Sequence, residues 1–383
     1  MTAGVEPSAA ENNEGAAIAN RNISGAEALA PSRWFSICCV TLICVVWPLI
    51  WVGSLVTTYD AGMSVPDWPG TYGHNLLLYP IDTWVFGPFD LFIEHGHRLL
   101  GIVAGIVAIA IVVSSFVTKR PRSIITLSIL TLLMVCLQGL LGGMRVRLGD
   151  QTLALLHGCS GQMVFCMCVL LAVVSGRWWY RVASPGEPSG DVNGEADAAD
   201  GEAVQASAKL QQTGSTLPIA TTLRVHRFDL FVVLAMWGLA TTQLVLGANI
   251  RHVSGLTSPP TFVLLIAVHV VVAFVLWAVV GLSGFRLRRC GDLTLARVGA
   301  LLIIVVLAQI LLGLGTWVVH WGWPMLRDSQ MSASFLVESK GFVDSMIVCG
   351  HVATGALILG FATVQVMKIA RVRHLQTRHP QVR

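Results

Sequence analysis

The sequence predicts an all-α membrane protein whose eight transmembrane helices form two four-helix-bundle repeats, and three observations carry that prediction. Hydrophobic residues make up 54% of the 383 and charged residues only 12%, against roughly a quarter charged in average soluble proteins. Eight apolar runs of about 20 residues are each long enough to cross a hydrocarbon core of roughly 30 Å. A polar stretch then separates them into four and four, and matching segments recur on its two sides.

The runs lie at about 34–56, 93–117, 123–143, 152–175, 228–248, 262–284, 298–319 and 345–368. Before the first, residues 1–33 hold Glu6, Glu11, Glu14 and Glu27 against Arg21 and Arg33. That balance reads as a disordered cytoplasmic N-terminus and differs from an Arg-rich, acid-poor mitochondrial presequence. A bacterial plasma (inner) membrane is the simpler address. Loop charge sets orientation by the positive-inside rule. Lys119, Arg120 and Arg122 follow the second run, Arg286, Arg288, Arg289 and Arg297 follow the sixth, and Lys368, Arg371, Arg373 and Arg378 follow the eighth. Residues 57–92 contain no Lys or Arg and carry Asp60, Asp67, Asp82 and Asp90, so they face outward with the loops near 144–151, 249–261 and 320–344. Both termini are then cytoplasmic. The net charge of +4 needs only these basic loops, and no nucleic-acid partner is implied.

Residues 182–222 are rich in Gly, Ala, Ser, Pro and acids, a composition that cannot bury a core, and they read as a disordered cytoplasmic linker. The expected organisation is therefore an N-terminal four-helix repeat at 34–181, the linker, a C-terminal four-helix repeat at 223–368 and a basic cytoplasmic tail at 369–383. Gly53–Thr58 runs parallel to Gly247–His252, and Gln138–Gly143 to Gln309–Leu314. An even number of spans per half gives both repeats one orientation, related by an axis along the membrane normal. Eight of the nine cysteines fall inside apolar runs, with Cys290 alone in a loop. They read as small buried hydrophobes, with no disulfide framework or metal-ligand spacing.

Four histidines carry the chemistry. His97, His157, His269 and His351 occupy the second, fourth, sixth and eighth runs, and each run starts on the outer side. Counting from Asp90, Gln151, Pro260 and Asp344 gives seven, six, nine and seven residues, or roughly 9–14 Å along each helix. A lone intramembrane histidine is often a satisfied structural residue. Four in one layer, two per half, are arranged to ligate one heme iron in each half. Zinc or copper would gather three or four close ligands. The remaining histidines His74, His226, His252, His320, His374 and His379 lie in loops or tails, and His95 sits about 200° around the helix from His97.

The halves are unequal. The second run reads Glu94-His95-Gly96-His97-Arg98, whereas the sixth reads Ile266-Ala267-Val268-His269-Val270. Glu94 and His97, three apart, share a helical face. Beside a ligand, a carboxylate present in only one repeat is the candidate catalytic group, its bland alternative being a solvated or arginine-paired side chain. Arg98 and the outer-loop arginines Arg145, Arg147 and Arg251 either snorkel at the interface or pair with heme propionates. Gln138, Gln309, Gly142, Gly143 and Gly313 read as helix-packing positions, and Trp178, Trp179 and Tyr180 as an interfacial belt.

Eight spans in two repeats, Glu94-x-x-His97-Arg98, the later His157, His269 and His351, and the loop Gly62-Met63-Ser64-Val65-Pro66-Asp67-Trp68-Pro69 together resemble the heme A synthase family over about residues 34–368 apart from the linker. The resemblance implies oxidation of the C8 methyl of heme O to a formyl group, giving heme A for terminal cytochrome oxidases. It further implies that His97 and His157 contact the iron of heme O, the substrate, that His269 and His351 ligate a resident heme b, and that Glu94 is the catalytic carboxylate. Implied partners are a heme O synthase that delivers substrate, an electron-transfer partner and membrane lipid, with homo-oligomerisation left open. Many bacterial members place a cysteine pair in the first outer loop; this chain has Val65 before Pro66-Asp67-Trp68-Pro69, so no thiol role is expected there. Two other readings fit the histidines alone: a di-heme b-type electron carrier or quinol-linked cytochrome, and a heme transporter or chaperone.

Overall fold

Helix ends follow local chemistry. Ser32 opens α1 (Arg33–Thr58) by accepting the Phe35 N–H, Asp150 opens α4 (Gln151–Ser175) by accepting the Leu153 N–H, and Ser258 with Pro259 opens α6 (Pro259–Arg288). Such side chains satisfy the amides that a first helical turn leaves free. Asp229 starts α5 (Arg227–Arg251) in a reciprocal capping arrangement with His226, and Asp292 accepts the Leu295 N–H in the first turn of α7 (Leu293–Trp321). Gly149 closes α3 (Arg122–Leu148) in the left-handed conformation, φ 62°, which a residue without Cβ adopts at no cost. The remaining membrane-length helices are α2 (Phe89–Val117) and α8 (Phe342–Arg378). This computed structural model describes residues 32–184, 217–253, 257–321 and 341–379. Residues 1–31, most of the expected linker and most of the last outer loop lie outside them.

The chain is all-α over the described residues apart from one isolated bridge between Thr71 and His74, and it has eight helices of membrane-crossing length and hydropathy. It is a multi-pass membrane protein, as the apolar runs predict. The helices extend past those runs by up to ten residues, because amphipathic ends continue the backbone ladder into the interface. Around one unit α1–α2, α2–α3, α3–α4 and α4–α1 pack edge to edge; around the other, α5–α6, α6–α7, α7–α8 and α8–α5 do the same. One apolar core gathers Phe35, Leu42, Ile111, Phe165 and Leu171, and a second gathers Met236, Leu276, Leu302, Leu359 and Ile369.

Helices α4 and α8 are the centre of the molecule: 50% and 56% of their most apolar windows are buried, against 11–22% in the other six. α8 packs on both α1 and α4, and the seam is lined by Ala353, Ala356 and Gly360. A methyl at Gly360 would stand 2.9 Å from the Phe165 ring of α4, so glycine forms a notch for that ring. In lipid, where apolar surfaces gain little by leaving one another's company, small residues and hydrogen bonds hold helices together. Trp47 of α1 accordingly donates to the Ala353 carbonyl at 3.0 Å.

Two expected boundaries shift. The linker was read as 182–222, yet Val182 and Ala220 are fully buried, and the Ile219 and Ala220 N–H groups donate to Ser184 and Val182 carbonyls at 3.0 and 2.9 Å. A few apolar residues at each end of a polar stretch tie its base together, which average composition hides. The tail expected from 369 is helical to Arg378, with Ile369 and Val372 buried and Gln376 donating to Ala220 and Leu223 carbonyls. Its basic residues mask an apolar stripe at helical spacing.

Candidate functional site

The four histidines converge in two pairs. His97 of α2 and His157 of α4 face each other with ring centres 6.4 Å apart and planes at 82°; His269 of α6 and His351 of α8 do so at 6.4 Å and 63°. Two imidazoles binding one metal ion from opposite sides, through bonds of about 2 Å, place their ring centres about 6 Å apart. Both pairs therefore fit a single six-coordinate metal set in a planar macrocycle. Among the described residues no cluster of three or more His, Cys, Asp or Glu forms; each position brings together two imidazoles.

The second histidine of each pair is tethered. His351 Nδ1 lies 3.2 Å from the Gln309 carbonyl, and the His157 ring lies against the Gln138 main chain. Donation from Nδ1–H fixes the tautomer in which Nε2 keeps its lone pair for a metal. The Nδ1 atoms of His97 and His269 are buried without a hydrogen-bond partner, although the His97 ring lies against the Leu49 main chain.

Glu94 is 3% exposed, and both of its carboxylate oxygens are held. Oε1 pairs with Arg98 at 2.7 Å and Oε2 accepts the Val65 N–H at 2.9 Å. Arg98 also donates to the carbonyls of Val65, Asp67 and Gly70 at 2.7–2.9 Å. The fork of Arg98, expected either to snorkel or to pair with a propionate, is engaged here with the loop after α1 and with Glu94, four residues along the helix. Asp67 organises the same loop by accepting the Tyr72 and Gly73 N–H groups at 2.8 and 2.9 Å. Partial burial opposes its ionisation, but these bonds outweigh that and hold its carboxyl below the usual carboxylate range. Tyr72 donates its hydroxyl to the Ser64 carbonyl. His95 points away from His97, as the helix geometry requires. It is 1% exposed, bonded to Thr71 at 3.1 Å and packed between Tyr79 and Trp84. Trp68 lies on Gly143 of α3, where any side chain would collide with its indole. The loop thus covers the outer end of the His97–His157 pair. The Pro-Asp-Trp-Pro motif is legible in the sequence, whereas its fasteners Thr71, Tyr72 and Tyr79 are signalled there only by an aromatic-rich loop.

Arg145 and Arg251 sit in the last turns of α3 and α5 rather than in loops, where cations complement the carbonyl end of a helix. Three ion pairs form among the described residues, Arg98–Glu94, Arg181–Asp292 and Arg286–Asp229, and neither Arg145 nor Arg251 belongs to them. Arg145 feels the charges of Glu94 and Asp60. Arg251 reaches from α5 to α1, donating to the Ser54 carbonyl at 2.8 Å and the Thr58 hydroxyl at 2.7 Å. His252, read as a solvated loop residue, is half-buried; burial first, then Arg251 and Arg145, push its pKa down to about 4.

Fold and site together define a polytopic helical membrane protein with two intramembrane imidazole pairs, one of them under a fastened loop and beside a buried carboxylate. Residues 32–190 match the COX15-CtaA family model, described as cytochrome oxidase assembly protein. This part of the chain, which holds the first imidazole pair, is similar to that family, the heme A synthase family that its motifs resemble. No curated protein matches the chain significantly.

Proposed function

We propose that the protein is a heme A synthase: an oxidoreductase that converts the C8 methyl of heme O to a formyl group, in the service of terminal cytochrome oxidases. The observation that carries the proposal is the facing of both imidazole pairs at 6.4 Å, joined to the family match over the first pair. The two rings of helices, with the same order of neighbours, support two four-helix repeats, one for the substrate heme and one for a resident heme b. The basic loops support cytoplasmic termini, and the acidic composition of residues 1–33 supports a bacterial plasma membrane.

In this reading His97 and His157 hold the iron of the substrate, heme O, and orient the macrocycle under the outer loop. That loop, fastened by Arg98, Asp67 and His95, excludes bulk water from the reacting edge. Each Glu94 oxygen keeps a lone pair beyond the bond it already accepts. Glu94 therefore presents a carboxylate that can stabilise positive charge developing at the methyl carbon and accept a proton from the water that adds there. Arg145 and Arg251, which form no ion pair among the described residues, pair with propionates. Taking the methyl and one water to the formyl group releases four electrons and four protons, so an electron-accepting partner is required. His269 and His351 would hold a heme b, which when bound supplies one-electron redox chemistry towards that acceptor, and a heme O synthase supplies substrate.

The test is co-expression with a heme O-forming enzyme, followed by extraction and chromatography of the hemes. Heme A or hydroxylated heme O is expected with the wild type. Glu94→Ala keeps heme b and loses heme A. Heme O left unchanged by the wild type would favour an electron carrier or heme transporter and refute the enzyme.

A further inference from the structure

Each histidine rests on a glycine of the helix that precedes it. A methyl placed on Gly53 of α1 would stand 2.8 Å from His97 Cε1, on Gly142 of α3 3.1 Å from His157 Cε1, on Gly247 of α5 3.3 Å from His269 Cε1, and on Gly313 of α7 3.1 Å from His351 Cε1. Real side chains essentially never approach to the first of these distances, and the others are tighter than ordinary packing. The same atom of the same residue type meets the same backbone position four times. The residue one turn before the glycine is glutamine at three of the four seats, Gln138, Gln243 and Gln309, and Leu49 at the first. The main chain at three of these positions contacts the imidazole seated on the following turn.

We infer that Gly53, Gly142, Gly247 and Gly313 are positioning residues, each a bare patch of helix backbone against which one imidazole is set at the angle that aims Nε2 into the space between the pair. The protein is on this view four copies of one hairpin, α1–α2, α3–α4, α5–α6 and α7–α8. Each hairpin contributes one glycine seat and one histidine, nested within the two larger repeats. A side chain at the seat forces the ring outward, towards its opposite number, and rotates it off the metal axis. Other glycines on the same helices do not share the role: a methyl on Gly139 of α3 or Gly238 of α5 meets nothing within 4 Å.

The inference rests on the reading that the imidazoles ligate heme, so the test separates the two. Full-length protein carrying its resident heme b is purified as wild type, Gly313→Ala, Gly247→Ala, Gly238→Ala and His351→Ala. Heme content, the reduced α band and the low-spin electron paramagnetic resonance signal are recorded for each. The expected order of damage follows the distances: Gly313→Ala loses most of its heme or turns it high-spin, Gly247→Ala shifts the low-spin signal less, and Gly238→Ala matches the wild type. A wild-type spectrum in Gly313→Ala, with heme lost from His351→Ala, overturns the seat and leaves the heme reading standing; a wild-type spectrum in His351→Ala overturns the heme reading itself. Should Gly313→Ala fold poorly, the double variant Gly313→Ala/His351→Ala decides. Melting no lower than in His351→Ala places the clash at the imidazole; a further loss of stability equal to that of Gly313→Ala alone overturns the seat.

Discussion

Replacing Arg98 by methionine keeps the stem of the side chain and removes a guanidinium that makes four hydrogen bonds, three to loop carbonyls and one to Glu94. The Arg98 side chain is 9% exposed and that of Glu94 4%, so the variant strands a buried carboxylate. Breaking one partner of a buried pair costs about 3–5 kcal/mol. Summing four charge-assisted bonds at about 1.5–3 kcal/mol each would overshoot, because the freed carbonyls lie at the outer face and regain water. The whole cost falls on the closed state of the loop, because α2 itself needs no help from Arg98. At about 1.4 kcal/mol per factor of ten, loop opening rises roughly a hundred- to several-thousand-fold. Hydrogen exchange in detergent or nanodiscs reads this directly at the Val65, Tyr72 and Gly73 amides, bonded to Glu94 and Asp67. Amides in the middle of α2 serve as an internal control. The pair Glu94→Leu/Arg98→Met should protect the loop better than Arg98→Met alone, by a coupling of about 1–3 kcal/mol. Unchanged exchange at Val65 in Arg98→Met would refute the loop-fastening role and return Arg98 to the propionates.

Four further outcomes are expected. Stability should decline as pH falls from about 6.5 to about 4 in part through His252: its folded pKa is depressed to about 4, so the neutral ring stabilises the native state above its ordinary value of about 6.5 and that contribution is lost on protonation. Thermal melts of His252→Gln across this range should be flatter than wild type; parallel curves would count against it. Excising residues 186–216 and joining the ends with a short Gly-Ser turn should leave the melting temperature within a few degrees, since the stem at Val182–Ser184 and Ile219–Ala220 is already hydrogen bonded. Gly143→Leu should dislodge Trp68, detected as increased quenching of tryptophan fluorescence by a membrane-impermeant quencher, with no change if the indole does not rest there. Arg251→Gln should weaken the tie between α5 and α1 by about 1–3 kcal/mol, the range for a charged hydrogen bond, measured by denaturation in mixed micelles.

Eight spans and four histidines were legible because hydropathy over twenty residues and an ionisable group within such a run are strong signals in a membrane. Pairing followed from depth counting, and the facing rings agree with it. Less could be read where contacts are made by backbone. Arg98 was expected to reach for an anionic ligand, as a fork beside a ligand suggests, but three of its four partners are carbonyls of residues 65–70, which no residue type announces. Arg145 and Arg251 seemed to belong to loops because the apolar runs stop before them, whereas the helices continue. The buried stripe of Ile369 and Val372 was hidden among Lys368, Arg371 and Arg373, whose charge spoke for orientation and concealed packing. The glycine seats were visible only as small residues; that each lies under an imidazole needed the third dimension.

The Phe165–Gly360 notch acts as a height gauge between the two halves. As the fourth and eighth spans of an alternating bundle, both helices cross the membrane in the same direction, and the notch pins one point on α4 to one point on α8. His157 lies eight residues above Phe165 and His351 nine above Gly360, or about 12 and 13.5 Å along nearly parallel axes at 1.5 Å per residue. A single tooth in a single slot therefore levels the two imidazole pairs to within about one residue's rise. Sliding α8 by a turn against α4 would require Phe165 to find another gap in a helix whose facing residues carry methyls. The protein thereby sets its two imidazole pairs at one depth through the absence of one side chain.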